Sequence, residues 1–170
     1  MPGAVERRLE LPSRAELAAF WPRLWERALE AARKAHAPYS QFFVGAAVLA
    51  SDGQIYSGCN IENAAYPAGL CAERVALSGM HMAGAGPALV LTVLALQRRG
   101  AGEEVVAASP CGICRQFLAE LGTAETWVLL PDLAHSDAGL PDAAMPYFKA
   151  YRLGELLPLA FAATDLDQGR

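Results

Sequence analysis

The sequence predicts an α/β domain in which helices cover a five-stranded sheet. Apolar runs of strand length alternate along the chain with segments whose apolar residues recur at helical spacing. Turn-forming residues separate the two kinds of segment. Because strands need helices to cover their apolar faces, this alternation is typical of an α/β domain. The 170 residues suffice for one such domain.

Five segments have the composition of strands, namely residues 42–50, 54–59, 89–96, 126–130 and 147–151. The first is a continuous apolar run, as in a strand buried on both faces. The sequence Ser51-Asp52-Gly53 predicts a hairpin turn to the second strand. Residues 105–108 are a short lead-in to Pro110, and residues 131–146, which contain three prolines, are predicted to form a long loop.

The first helix is predicted after an extended arm, residues 1–12, which contains two prolines and one glycine. Ser13 and Glu16 have the spacing of a capping box, and apolar residues recur at helical spacing to about residue 36. Pro22 interrupts this run, so it either kinks the helix or starts a second one. Further helices are predicted from Cys71 to about Ala83, from Cys111 to Leu121 and from Leu153 to Leu157.

The charge and composition of the chain indicate which kinds of partner it is expected to bind. The net charge is −4 and the basic residues are scattered, so the chain lacks the basic surface that binds a nucleic-acid polymer. No window approaches ~18 uninterrupted apolar residues, so no membrane span is predicted. The first residues lack the apolar core of an export signal, which favours a cytoplasmic protein. The high hydrophobic content, 54%, favours contacts between subunits.

Three of the four cysteines have the spacing of metal ligands. Cys111 and Cys114 stand three residues apart at the start of a predicted helix, so both sulfurs lie on one face. Cys71 stands at the start of another helix, and two helix N-termini that converge on one ion help to keep thiolates ionised. Three protein ligands are typical of a catalytic zinc, which keeps a fourth position for water.

A structural zinc site with four protein ligands is the alternative. Its fourth ligand would come from one of the remaining candidates, which are Cys59, His36, His81 and His135. That alternative assigns no role to Glu73. Two positions along a helix turn a side chain by about 200°, so Glu73 is not expected to join Cys71 as a ligand. It is placed instead to act as a general base beside the metal, which is the zinc deaminase pattern with cysteine in place of the first histidine.

Several ordered motifs resemble those of the small homotetrameric cytidine deaminases. They are Ala37-Pro38-Tyr39-Ser40 with Phe42 and Val44-Gly45-Ala46-Ala47, residues 58–66, Cys71-Ala72-Glu73-Arg74, residues 109–116, and Glu155-Leu156-Leu157-Pro158 with Phe161. The resemblance extends from about residue 24 to residue 166. It implies a three-layer α/β/α fold with a mixed five-stranded sheet. Residues 1–21 are then an N-terminal extension, and residues 22–170 are a single catalytic domain.

The resemblance also implies a role for each residue of the site. Zinc would bind Cys71, Cys111 and Cys114, and Glu73 would carry protons. Asn60 and Glu62 would bind the ribose hydroxyl, Phe42 would stack on the pyrimidine, and the backbone around Ala72 and Ser109 would bind the base. Phe161, Ala64 and Tyr66 would face a neighbouring subunit's site. Arg74 would donate to the sulfurs, and Arg115 would lie near them. Loop capping remains an alternative for Asn60 and Glu62, and core packing for the two phenylalanines.

The implied function is hydrolytic deamination of cytidine, and of deoxycytidine, to the uracil nucleosides and ammonia by a zinc-activated water, as in pyrimidine salvage. The implied partners are a small nucleoside and three further copies of the chain. Deamination of an antibiotic nucleoside such as blasticidin S is an alternative, although that group lacks the Asn60-x-Glu62-Asn63 loop found here. A non-catalytic zinc module and the editing of RNA or DNA are further alternatives.

Overall fold

A computed structural model describes residues 9–99, 102–135 and 147–166. Within these ranges the chain forms five α-helices and six strands. The helices are α1 (Leu17–Arg33), α2 (Ala72–Met82), α3 (Gly112–Leu121), α4 (Leu153–Leu156) and α5 (Ala163–Leu166). The strands are β1 (Phe43–Ala50), β2 (Ile55–Cys59), β3 (Ala88–Arg99), β4 (Gly102–Val106), β5 (Trp127–Asp132) and β6 (Tyr147–Arg152). Among the described residues, no helix is both long enough and apolar enough to span a membrane.

The sheet is mixed, as predicted, but has six strands in the described residues instead of five. Its order is β2-β1-β3-β5-β6, and β4 pairs with the end of β3. The β3–β5 pair is parallel and the other pairs are antiparallel. The extra strand lies where only a lead-in was expected, because β4 begins with Gly102, Glu103 and Glu104 and has no apolar run of strand length. Its register sets Val105 opposite Leu96 and Val106 opposite Ala95, and Glu103 forms an ion pair with Arg33 of α1.

Strand β1 shows why the domain has three layers. Alternate side chains of a strand point to opposite faces of the sheet. Phe43, Ala47 and Leu49 join the apolar cluster beneath α1, whereas Ala46 and Val48 join the cluster beneath α2 and α3. A run that is apolar at nearly every position therefore serves two cores, and the predicted α/β/α fold is confirmed.

Helix α1 is one helix that contains Pro22. The proline is exposed, so water can reach the carbonyl that its missing N–H leaves unpaired. Leu17 and Trp21 are buried in the cluster beneath the helix, and the boundary predicted at residue 21 falls inside α1. The preceding segment is attached as well, because the indole of Trp127 donates to the carbonyl of Pro12 at 2.8 Å.

The long loop predicted at residues 131–146 begins later than expected. Pro131 and Asp132 belong to β5 and lie opposite Phe148 and Tyr147 of β6. A proline is tolerated there because β3 pairs with β5 only as far as Leu129. The rest of that loop, residues 136–146, lies outside the described residues.

Helix α2 lies unusually close to strand β2 at Gly58. A β-carbon at this position would stand 2.5 Å from the backbone nitrogen of Ala76 and 2.7 Å from the carbonyl oxygen of Ala72. Both distances are shorter than any normal contact, so only glycine allows the helix backbone to approach the strand this closely. The close approach sets the position of the N-terminus of α2, where Cys71 and Glu73 lie.

We expect Gly58→Ala to lower the free energy of unfolding by roughly 1–3 kcal/mol, because the added methyl group forces α2 away from the sheet. The matched control is Gly79→Ala on the exposed side of α2, where a β-carbon meets nothing within 4 Å. That change should raise stability by about 0.4–1 kcal/mol, since alanine favours the helix. Urea unfolding of both variants tests the pair, and equal stabilities would contradict the close-packing argument.

Candidate metal centre and substrate pocket

The starts of two helices bring three thiols together. Cys71 is the N-cap residue of α2, Cys111 is the N-cap residue of α3, and Cys114 lies in the first turn of α3. The Sγ atoms of Cys71 and Cys111 are 4.0 Å apart, and those of Cys111 and Cys114 are 3.4 Å apart. All three sulfurs lie within 4.8 Å of one another. The structure thus gathers the three cysteines that the sequence proposed as ligands.

The spacing and chemistry of the thiols fit zinc. Sulfurs bound tetrahedrally to one zinc at about 2.3 Å stand about 3.8 Å apart, and the observed separations bracket that value. The cysteines are free thiols, and soft thiolate ligands favour zinc over magnesium or calcium. Among the described residues, neither Cys59 nor His36 nor His81 joins the group. The side chain of His135 lies outside the described part. Three ligands from the described chain leave one coordination position for water or substrate.

Cys71 and Cys114 differ in how readily they lose a proton. The pKa of Cys71 is lowered to about 5, mainly because Cys114 donates a hydrogen bond to it, and Arg74 adds a hydrogen bond and positive charge. The pKa of Cys114 is raised, chiefly because its proton is held against the Cys71 thiolate. A metal ion that binds here must displace that proton, so zinc binding is coupled to proton release.

Arg74 ties the cluster to the loop before it. Its Nη2 donates to the carbonyl of Gly69 at 2.9 Å. Its Nε is buried and has no hydrogen-bond acceptor within normal distance in the described residues. A cationic group with a buried nitrogen requires compensating negative charge, and the neighbouring Cys71 thiolate supplies it.

Glu73 is buried beside the thiols but is not one of the grouped ligands. Only 3% of its surface is exposed, and the cluster of possible metal ligands does not include it. Burial raises the pKa of its carboxyl group, and the negative charge of Cys71 adds to this rise, whereas hydrogen bonds with its own backbone and with Cys114 lower it. A carboxyl group with a raised pKa is suited both to accept and to return a proton near neutral pH.

A cavity of about 930 Å³ opens over the cluster. Most of the residues proposed for substrate binding line it, namely Phe42, Asn60, Glu62, Tyr66, Ala72 and Ser109. Glu73 and Arg74 also line it. Ala64 and Phe161 are exposed and are absent from its lining. Arg115 is absent too, and its guanidinium donates to the carbonyl groups of Pro110 and Leu156.

Asn60 and Glu62 have structural hydrogen bonds of their own. The amide oxygen of Asn60 accepts from the backbone of Val44 at 2.8 Å, and its Nδ2 donates to the carbonyl of Phe42 at 2.9 Å. Glu62 accepts from the backbone N–H groups of Tyr39 and Ser40 and from the Ser40 hydroxyl. Those bonds, the one from the Ser40 hydroxyl above all, lower the pKa of Glu62. Loop capping, which the sequence left as an alternative, is thus present in both residues.

The comparisons with known proteins agree with this geometry. Residues 22–130 match the family model described as the cytidine and deoxycytidylate deaminase zinc-binding region. The chain belongs to this family. It is 37% identical to a cytidine deaminase of Mycobacterium tuberculosis over 88% of this chain and 96% of that protein. It is 38% identical to a cytidine deaminase of Halalkalibacterium halodurans over 85% of this chain and 96% of that protein.

Solved structures of this family have the same fold. The crystal structure of cytidine deaminase from Burkholderia pseudomallei matches with a TM-score of 0.64 and 37% identity, and the match covers 82% of this chain and 98% of that chain. A cytidine deaminase from Mycobacterium tuberculosis matches with a TM-score of 0.63 and 38% identity, over 84% of this chain and 97% of that chain. Zinc is accordingly the metal of the matched region, and the cysteine cluster has the ligands to bind it.

Two polar residues of the site received no role from the sequence. Ser40 supplies two of the donors that hold Glu62, although it belongs to a family motif whose members were not assigned separately. Gln116 forms two hydrogen bonds with the backbone of Phe161. Gln116 also belongs to a family motif, residues 109–116, but that motif does not specify a partner forty-five residues away.

We expect Cys114→Ala to bind far less zinc than the unmodified chain, which should hold about one zinc per molecule. Cys59→Ala is the matched control, because Cys59 is also a free cysteine but lies outside the cluster. It should retain its full zinc content. Atomic emission analysis of the purified variants measures both. Loss of zinc from Cys59→Ala alone would place the metal elsewhere.

The lowered pKa of Cys71 predicts how zinc retention depends on pH. Zinc requires the thiolates, so protons compete with the metal for the sulfurs as pH falls, and Arg74 is one of the groups that favour the Cys71 thiolate. Arg74→Gln removes one of the groups that lower the pKa of Cys71, so competition should begin at higher pH. Zinc retention against a chelator, measured as a function of pH, should therefore show a midpoint shifted upward. Arg23→Gln, on the exposed side of α1, should leave the midpoint unchanged.

Proposed function

We propose that this chain catalyses the hydrolytic deamination of cytidine and deoxycytidine, which releases ammonia and leaves uridine or deoxyuridine. One observation carries the proposal. Two of the three clustered thiols, Cys71 and Cys111, line the same cavity as a buried carboxyl group, Glu73, which is not one of the grouped ligands. A structural zinc site needs a fourth ligand from the protein and has no use for such an acid, whereas a zinc deaminase needs the open position and the acid.

Glu73 moves two protons in the proposed reaction. When bound, zinc supplies Lewis-acid chemistry, which makes water a competent nucleophile near neutral pH. Glu73 accepts a proton from the attacking water and delivers it to ring nitrogen N3, so that the oxygen adds to C4. It then accepts the remaining hydroxyl proton and delivers it to the amino group, which leaves as ammonia while the C4 carbonyl forms. The raised pKa of Glu73 supports this double use.

The remaining hydrogen-bond capacity of Asn60 and Glu62 supports sugar binding. Asn60 has two N–H donors and uses one of them on Phe42. Glu62 has about four acceptor positions, and three protein donors occupy it. One donor and one acceptor are left to meet a sugar hydroxyl, which both accepts and donates. Phe42, which is partly exposed in the cavity, is placed to stack on the pyrimidine.

The charges around the cavity favour a nucleoside over a nucleotide. Among the described residues that line it, Arg74 is the only cation; its Nη2 already donates to the carbonyl of Gly69, and its charge already favours the Cys71 thiolate. Glu62 places negative charge on the proposed sugar side. A phosphate group would therefore meet a carboxylate and no free basic residue, which also argues against an RNA or DNA substrate.

We further propose a homotetramer with shared sites. Phe161 is 59% exposed and does not line its own cavity, which supports its insertion at the site of a neighbouring copy. The exposed residues Ala64 and Tyr66 would meet that copy. Free thiols suit the reducing cytoplasm, which is the compartment we propose for the protein.

A spectrophotometric assay on cytidine, deoxycytidine, cytidine monophosphate and blasticidin S tests the proposal, with zinc measured in the same sample. We expect turnover of the two free nucleosides and little turnover of the monophosphate. Exclusive turnover of blasticidin S would make the antibiotic the substrate. A zinc-loaded protein that deaminates none of the four would contradict the proposed function, and native mass measurement of a fully active monomer would contradict the shared sites.

Glu73→Gln should keep its zinc and lose nearly all turnover, by roughly 10²–10⁴-fold or more, because the amide cannot carry protons. The same substitution at Glu62 is the matched comparison. It should mainly raise KM, since Glu62 contacts the sugar and not the reacting atoms. Initial rates and zinc content of both variants provide the test. Comparable turnover by Glu73→Gln and the unmodified enzyme would remove Glu73 from the mechanism.

A further inference from the structure

Gln116 holds both backbone polar groups of Phe161. Its Nε2 donates to the carbonyl of Phe161 at 2.7 Å, and its Oε1 accepts from the N–H of Phe161 at 3.1 Å. This two-bond contact uses a donor and an acceptor side by side, which the primary amide of Gln116 supplies. Phe161 lies in an irregular stretch between α4 and α5, so the amide of Gln116 replaces the pairing that secondary structure would give.

We propose that Gln116 is a positioning residue, which holds Phe161 at the place from which its ring reaches the substrate site of a neighbouring copy. The proposal rests on the shared-site deaminase proposed above. It adds a residue on the face of α3 that has no contact with its own substrate cavity, since Gln116 is absent from the lining of that cavity. Among the described residues, both side-chain hydrogen bonds of Gln116 are to Phe161.

The contacts of Phe161 are those of a residue presented to a partner. Its backbone is fixed by two hydrogen bonds, whereas its ring is 59% exposed. A ring that only stabilised the chain would be expected to pack against the core, and Phe161 does not belong to either apolar cluster. Holding the backbone while leaving the ring free lowers the entropy that must be lost when the ring meets a ligand.

The same helix connects this contact to the metal centre. Arg115, next to Gln116, donates to the carbonyl of Leu156, so α3 holds the C-terminal segment at two points. Cys111 and Cys114 occupy the start of that helix. The position of Phe161 is therefore defined relative to the zinc ligands of its own chain. In an assembly of identical copies, it is then defined relative to the neighbouring site as well.

Loss of the contact should act on substrate binding. Without Gln116, Phe161 samples other conformations, and the apparent dissociation constant rises by the inverse of the fraction that stays competent. For two lost hydrogen bonds this corresponds to a rise in KM of roughly tenfold. The value of kcat should change by less than about twofold, because the groups that move protons are untouched.

The test compares Gln116→Ala, Gln116→Glu, Phe161→Ala and the double variant Gln116→Ala/Phe161→Ala in the zinc-loaded enzyme. We expect Gln116→Ala and Phe161→Ala to raise KM for cytidine by similar factors, and the double variant to be no worse than Phe161→Ala alone. Gln116→Glu keeps the acceptor for the Phe161 N–H and loses the donor, so it should show an intermediate KM. Gln54→Ala, which removes the same side chain at the exposed β1–β2 turn, should match the unmodified enzyme.

Each outcome shows whether Gln116 positions Phe161 or only stabilises the fold. Amide hydrogen exchange at Phe161, followed without substrate, should be slow in the unmodified protein and fast in Gln116→Ala. Effects of the two single variants on KM that multiply in the double variant would overturn the proposal, as would a normal KM in Gln116→Ala. Loss of zinc or of kcat in both Gln116 variants would mean that the residue supports α3, which also overturns it. An unmodified enzyme that fails to deaminate cytidine would instead reject the proposed function itself.

Discussion

The close contact between α2 and strand β2 is the constraint on which the rest of the site depends. At Gly58 the helix backbone occupies the space that a side chain would fill. Ala72 and Ala76, on the same side of the helix, are fully buried and small enough to permit that approach. Because Cys71 caps this helix and Glu73 lies in its first turn, the contact sets where one metal ligand and the proposed proton carrier stand. The start of helix α3 places Cys111 and Cys114 beside Cys71 and completes the cluster.

Bringing these groups together concentrates negative charge, and the fold compensates for it in three ways. The N-termini of α2 and α3 both point at the thiols, and their partial positive charges favour thiolates. Arg74 supplies a full positive charge beside Cys71. Before metal binds, Cys114 keeps its proton against the Cys71 thiolate, which limits the repulsion. Burial raises the pKa of Glu73 in these surroundings, so the same environment that prepares a zinc site also prepares a proton carrier.

Local patterns in the sequence were enough to predict an α/β domain and the three clustered cysteines, whereas the three-layer arrangement came from the family resemblance. Apolar runs identify buried strands, and the helix starts at Cys71 and Cys111 follow from flanking residues and spacing. Strand β4 was missed because it is short and only Val105 and Val106 in it are apolar, so its pairing with the end of β3 is visible only in the folded chain. The partners of Ser40 and Gln116 were missed for a similar reason. Both bind residues distant in sequence, and only the folded chain brings these contacts together.

The proposed substrate residues are also structural residues, and this joins sugar binding to base stacking. Asn60 holds the backbone directly after the Phe42 side chain, through the carbonyl of Phe42 and the N–H of Val44. Glu62 holds the turn at Ser40, whose hydroxyl in turn accepts from the Phe42 N–H. Removing either polar side chain would therefore displace the aromatic ring as well as the sugar contact. When a substitution at Asn60 or Glu62 weakens substrate binding, part of the loss therefore comes from weaker stacking of Phe42 on the base. The free-energy effects of substitutions at these residues should not be additive.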